Sequence, residues 1–233
     1  VLLSPGAGTK LRLVAPGMDR APGTSTGKSG SAVAQTAGIA FPVSLDATDS
    51  WGNGVSAGLA PAAALVTDDA FAPSMPRAVT LQPTLTGWTS SFALTLVTRR
   101  NTDLGVSLAV SAVTATASGY AADSFLLAVN ADASIQRLQV LVPGVVGVEG
   151  STTTGISGAP SVHTAGAPFM ATVRAVDAYY NTTVGNNPTV SFGVINDTYS
   201  VVPGAVGLSN GTGQQQFTLR TATTCQLQAF AAG

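Results

Sequence analysis

Charged side chains are scarce in this chain. Asp, Glu, Lys and Arg make up 9% of its 233 residues, and the net charge is −1. With no cluster of Lys and Arg to track a phosphate backbone, a nucleic-acid partner is excluded. The single basic doublet, Arg99-Arg100, reads as a solvated strand end. One cysteine, Cys225, cannot form an internal disulfide, and its neighbours Leu227, Ala229 and Phe230 predict a buried strand thiol. One histidine, His163, leaves zinc without ligands and a Ser-His-Asp arrangement with a single candidate base. Long apolar runs are missing as well. The longest, from Leu59 to Val66, is broken by Pro61, whereas a membrane helix needs about 20 apolar residues, so no membrane span is expected. No stretch keeps a helical period.

Small and apolar residues are plentiful instead. Hydrophobic content is 45%, much of it Ala and Val, which with so little charge argues for a packed chain over a disordered one. The 26 Gly and 13 Pro call for frequent turns. The opening residues have neither a charged n-region nor a long apolar h-region, so the chain reads as a mature product or a piece of a longer one.

The chain repeats itself. TAGIAF at 36–41 returns as TAGAPF at 164–169, an offset of 128 (166 − 38 for the two glycines). At that offset Leu45 meets Val173, Asp49 meets Asp177, Trp51 meets Tyr179, Asn53 meets Asn181 and Asp69 meets Asp197. Upstream, LRLVAPG at 11–17 mirrors LQVLVPG at 138–144 with an offset of 127 (143 − 16). Near the other end SFALTL at 91–96 is similar to QFTLRT at 216–221, which sets Phe92 opposite Phe217. Similarity of this length indicates two duplicated domains.

Each copy reads as β structure. Phe41, Val43, Leu45 and Ala47 alternate with Pro42, Ser44, Asp46 and Thr48, and their counterparts are Phe169, Ala171, Val173 and Ala175; period two means one buried and one wet face. Val190, Phe192 and Val194 alternate likewise, as do Phe92, Leu94 and Leu96, and Val106, Leu108, Val110 and Ala112. DSWGNG (49–54) and DAYYNT (177–182) are turns, in which the leading Asp bonds a backbone N–H two residues on. Short strands separated by such turns predict an all-β chain of two tandem sandwiches. Pro42 cannot donate to a ladder, so its strand is expected at an edge or at a bulge.

The expected boundaries are 1–9 for the end of a preceding repeat's last strand, 10–130 for domain 1, 131–136 for a linker and 137–233 for domain 2. Domain 2 has no counterpart of YAADSFLLAVN (120–130) and so lacks its final strand. Two readings stay open: a window cut from a longer tandem array, or a subunit completed by a strand from a neighbouring chain.

The P-G entry, the TAG-x-x-F strand start and the V-x-A-x-D turn of both copies resemble the bacterial-type immunoglobulin-like repeats of invasin- and intimin-like adhesins. Such repeats also occur in very large secreted or surface proteins of bacteria and some algae. The resemblance implies immunoglobulin-like sandwiches, placement outside the cell or on its surface, and a non-enzymatic role as spacer, adhesin stalk or filament subunit. The implied partners are copies of the chain itself or neighbouring repeats, and glycans. No cofactor is implied. Two alternatives remain, a carbohydrate-binding or adhesive module and the accessory domains of a large secreted enzyme.

Few residues suggest chemistry. Asn181, Asn196 and Asn210 each open an N-x-Ser/Thr sequon in a predicted turn and are candidate glycosylation sites. Occupied sequons would favour an algal surface appendage over a bacterial adhesin. Trp51, Tyr179 and Tyr180 sit at equivalent turns, where they stack on a ligand or a neighbouring domain, or cap the sandwich end. No catalytic residue is expected. His163 stands where copy one has Gln35, a swap that suits a tolerant surface site, and no paired carboxylates of the glycosidase kind are evident. Calcium needs about six to eight oxygens. Asp46, Asp49 and Asn53, or Asp68 with Asp69, are the sets on offer, but copy two has Arg174 in place of Asp46, so no metal site is expected. GTSTGKSG (23–30) lacks the spacing of a phosphate loop and is read as a plain loop.

Overall fold

The computed structural model describes residues 1–73, 75–101 and 110–231. Two compact units part between Asn130 and Ala131. The described residues form strands and no helix, so none of them is a helix able to cross a membrane.

Unit 1 contains β1 (Lys10–Val14), β2 (Met18–Arg20), β3 (Lys28–Gly30), β4 (Gln35–Thr36), β5 (Phe41–Thr48), β6 (Ala62–Thr67), β7 (Arg77–Thr80), β8 (Gln82–Thr84), β9 (Gly87–Leu94), β10 (Ser111–Ala117), β11 (Tyr120–Leu127) and β12 (Val129–Asn130). Eight of these join in the order β7-β6-β10-β11-β1-β5-β9-β8. β11 turns the corner, pairing antiparallel with β10 and parallel with β1. The sheet thereby folds over itself, and the inward residues Leu13, Leu45, Leu65, Val113 and Phe125 of five strands meet in one core. The alternation expected for Phe41, Val43 and Leu45 is present, all three being buried while Pro42 is exposed.

Unit 2 contains β13 (Arg137–Leu141), β14 (Val145–Gly147), β15 (Ile156–Gly158), β16 (Pro168–Val176), β17 (Thr189–Ile195), β18 (Val206–Gly207), β19 (Thr212–Thr218) and β20 (Gln226–Ala231). One sheet is β13-β16-β19 and the other β18-β17-β20. They face across Phe169, Ala171, Val173, Val190 and Phe217, with Phe192 packed between. Both units are immunoglobulin-like β-sandwiches.

The twice-written hexapeptide forms the same turn twice. Gly38 and Gly166 both have positive φ, and their N–H groups donate to the carbonyls of Leu96 and Leu219 at 2.8 and 2.7 Å. This equivalence corrects the alignment near the C-terminus. Phe41 pairs with Leu94 and Phe169 with Phe217, so Phe217 answers to Leu94, not to Phe92. Ladder position outranks identity of letters here. Pro42 is also corrected: β5 lies between β1 and β9, away from any edge. Its partner β1 stops at Val14 opposite Ser44, so the missing N–H of Pro42 faces no strand on that side. Val106 and Leu108 of the fourth alternating run lie outside the described residues; Val110 is a bend and Ala112 belongs to β10. Residues 1–9 carry no strand.

Candidate functional site

The polar groups of both units gather where the chain enters β1 or β13 and leaves β5 or β16. Asp49 closes β5. Its Oδ1 accepts from Trp51 N at 2.9 Å and Asn53 N at 3.0 Å, and its Oδ2 from Asn53 Nδ2 at 3.0 Å. Asp177 repeats this with Tyr179 N at 2.8 Å, Asn181 N at 2.9 Å and Asn181 Nδ2 at 3.0 Å. Each Oδ2 takes one further donor from far along the chain: Gly6 N at 2.9 Å in unit 1 and Asp132 N at 3.1 Å in unit 2. The segment that leads into each unit is thus strapped to its turn. Burial alone would raise the Asp49 carboxyl, but donation from Asn53, Gly6 and Trp51 outweighs it and brings the pKa down to about 2.

A second pair of aspartates holds the opposite turns. Asp69 accepts from Val97 N, Thr98 N and Thr98 Oγ1, and Asp197 from Arg220 N, Thr221 N and Thr221 Oγ1. Burial would raise Asp197, yet these donors lower it. The match of Asp69 with Asp197 was legible in the repeat; their partners were not.

Between β1 and β5 lies a buried ion pair, Arg12 with Asp46, which the half-exposed Arg20 of β2 joins. Arg12 and Arg20 both reach Asp46, at 2.8 Å each, and Thr89 Oγ1 donates to it at 2.6 Å. Burial opposes ionisation of Asp46, while Arg20, Thr89 and Arg12 more than offset it and lower the pKa. Arg12 also donates to the carbonyls of Gly27 and Gly52. Asp46 is therefore engaged by guanidinium groups, and Asp49 by N–H donors, in an arrangement unlike a cation cage. Among the described residues no group of three His, Cys, Asp or Glu comes together to hold a metal.

Several expectations are corrected. Asn181 is fully buried, with Nδ2 on Asp177 and Oδ1 accepting Gly150 N at 3.0 Å, so a glycan has no room at its amide. The signal was present in the sequence: Asn53, its counterpart, occupies the same turn without a sequon. Asn196 and Asn210 are exposed, both with positive φ. Arg99 is buried, and Arg100 is tied to Asp68 at 3.1 Å, so the doublet is not a solvated strand end. Cys225 precedes β20 and is half-exposed, not a buried strand thiol; burial and the nearby Asp197 raise its pKa.

The aromatics divide. Trp51 is 60% exposed and does not cap the sandwich, and Tyr179 is half-buried. Tyr180 packs inward, over Gly155, with the Arg137 guanidinium 4.5 Å from its ring and its hydroxyl donating to Thr153 O. His163 is exposed and stacks on Phe169, ring centroids 4.4 Å apart.

No protein-family model matches the chain, and no curated protein does. Among solved structures it is similar to the Escherichia coli adhesin FdeC, with 18% identity over 97% of this chain and 61% of that one, at a TM-score of 0.40. It is also similar to the Yersinia pseudotuberculosis adhesin InvE, with 14% identity over 85% of this chain and 53% of that one, at a TM-score of 0.32. Bacteroides uniformis β-glucuronidase 3 is similar at 8% identity over 85% of this chain and 22% of that one, TM-score 0.30. The chain spans less than two thirds of each, and the structures it is similar to include bacterial adhesins.

Proposed function

We propose that the chain is a non-enzymatic structural repeat unit of an extracellular filament, appendage or adhesin stalk. Its two units are successive copies of one tandem module, with 131–136 as the linker. The observation that carries this reading is the paired strap, Gly6 to Asp49 and Asp132 to Asp177. A module that ties its own lead-in segment to its body is built to follow another. Asp49, Asp69, Asp177 and Asp197 hold turns and straps, and Asp46 and Asp68 are paired with arginines. Copies of the chain or adjoining repeats are the partners, meeting at sheet edges, and glycans occupy Asn196 and Asn210. Immunogold electron microscopy of the source cells tests this: label along a surface appendage is expected, and label confined to the cell interior overturns it.

The exposed Trp51 favours a second reading, a carbohydrate-binding module that uses Trp51 and Tyr179. Saturable signal on a glycan array, lost in Trp51→Ala, would promote it over the first.

A further inference from the structure

A polar groove opens in unit 1 beside the Arg12–Asp46 pair. It measures about 710 Å³, inside the roughly 300–1,000 Å³ of small-ligand sites. Two walls fix its shape. On one side Trp88 N donates to Val55 O at 2.8 Å, and a Cβ at Gly54 would run into Thr86 O. The tip of the β8–β9 hairpin is thereby locked against the segment that follows the turn. On the other side Gly23 N donates to Trp51 O at 2.8 Å, which ties the β2–β3 loop and its Pro22 to the turn itself. The groove is formed before any ligand arrives.

Arg20 sets its chemistry. The guanidinium holds Asp46 by one edge, Nε to Oδ2 at 2.8 Å and Nη2 to Oδ1 at 3.0 Å, and Nη2 also donates to Ser44 Oγ at 3.1 Å. Nη1 has no partner among the described residues, and the side chain is 48% exposed. The charged residues that line the groove are Arg12, Arg20 and Asp46, so two guanidinium groups against one carboxylate leave a charge of +1. Asp46 already accepts from Arg12, Arg20 and Thr89, and Arg12 is buried, so the surplus charge is presented by Arg20. Ser56, Thr86 and Ser91 add exposed hydroxyls to the lining, and Leu85 an exposed apolar lip.

Unit 2 lacks this feature. Gly147 takes the hairpin position of Arg20, and Arg174 the ladder position of Asp46. A Cβ at Gly147 would meet the Arg174 guanidinium, so that cation fills the space, and its Nη2 is spent on Tyr180 O.

We propose that the groove of unit 1 binds an acidic saccharide. A uronate carboxylate accepts from Arg20 Nη1, the ring hydroxyls exchange hydrogen bonds with Ser56, Thr86 and Ser91, and a C–H face of the ring lies on Leu85. A saccharide acid answers both the surplus charge and the hydroxyl lining, whereas an acidic peptide answers only the charge. This goes beyond the stalk reading and is separate from the Trp51 reading, since Trp51 does not line the groove.

The test is a titration of the isotope-labelled 233-residue chain with trigalacturonate, followed by amide NMR shifts. Saturable shifts at Arg20, Ser56, Thr86 and Ser91 are expected. Methyl esterification of the sugar carboxyls and Arg20→Gln should each weaken binding roughly tenfold or more, the worth of one hydrogen bond to a charged group. Ser91 is exposed and pairs with Ser44, so Ser91→Asp should abolish binding by capturing the guanidinium. Neither substitution enters the core, and unchanged amide signals elsewhere in unit 1 report an intact fold. Absence of shifts, equal binding of the methyl ester, full binding by Arg20→Gln, or tighter binding of an oligoglutamate peptide overturns the proposal. So do shifts centred on Trp51 and Tyr179, which would transfer the sugar to the second reading. None of these outcomes bears on immunogold labelling, so the cell-surface reading stands or falls separately.

Discussion

The two units solve one local problem with opposite charges. Where β1 faces β5, unit 1 sets Arg12 directly across from Asp46; where β13 faces β16, unit 2 sets Gln139 across from Arg174. The same two carbonyls are served in both. Arg12 donates to Gly27 O and Gly52 O in unit 1, whereas in unit 2 Gln139 donates to Gly155 O and Arg174 to Tyr180 O. The cation has moved to the opposite strand, and the buried acid is gone. What is kept is satisfaction of buried loop carbonyls, because an unpaired carbonyl costs free energy whichever strand supplies the donor. Gly52 and Tyr180 make the same point. Both sit at positive φ; Gly52 lies against Gly27 backbone to backbone, while Tyr180 covers Gly155 with its ring. A side chain added at Gly52 would meet the Gly27 Cα at 2.3 Å, so unit 1 admits only glycine there.

The largest expected effect breaks the charge comparison. Asp46→Ala leaves Arg12 buried without its acid and should cost unit 1 about 3–5 kcal/mol in urea unfolding. Replacing both residues at once, Arg12→Met with Asp46→Val, should recover most of that loss, since a well-packed apolar pair often equals a buried ion pair. A double variant as damaged as the single one would mean the cluster does more than satisfy itself.

Next comes packing. Leu13→Ala, in a completed core, should cost about 2–5 kcal/mol, and Val140→Ala, at its half-covered counterpart, about 1 kcal/mol or less. Equal losses would show that unit 2 is as closed as unit 1.

The strap of unit 1 should titrate. Asp49 is held at about 2 when folded, against an ordinary value of about 4. Its folded pKa is depressed, so its contribution is complete above pH ~4 and is lost as pH falls toward ~2. Thermal melts of wild type and Asp49→Asn across that range should converge at the acid end; parallel curves would remove Asp49 as the titrating group. The smallest effect concerns sequons. In a glycosylating host, mass spectrometry should find Asn196 and Asn210 modified and Asn181 bare, and a glycan on Asn181 of the folded protein would contradict its burial.

How much of this was legible follows from what carries each feature. The sandwiches, the turn aspartates and the duplicated TAG-x-x-F start lie in side chains at fixed spacing, and so they can be read. The straps cannot, because Gly6 and Asp132 contribute only backbone N–H groups. The Arg12–Asp46–Arg20 cluster spans strands far apart in sequence, and its reversal in unit 2 hides it from an internal alignment. Arg99 and Asn181 misled because polar residues in turn-like contexts are usually wet, whereas here both side chains are buried and Asn181 ties Asp177 to Gly150. The slip at Phe92 came from two aromatics that look equivalent on paper but occupy different rungs.

The bond from Asp132 N to Asp177 has a mechanical consequence. Tension arriving along the polypeptide at residue 131 meets this anchor before it reaches the ladder of β13. The first yield under load is then the parting of this bond and of the one from Asn186 Nδ2 to the Ala133 carbonyl, with the paying-out of a few residues, while the folded body behind them stays intact. A chain of such modules would stretch in small reversible steps before any of them came apart.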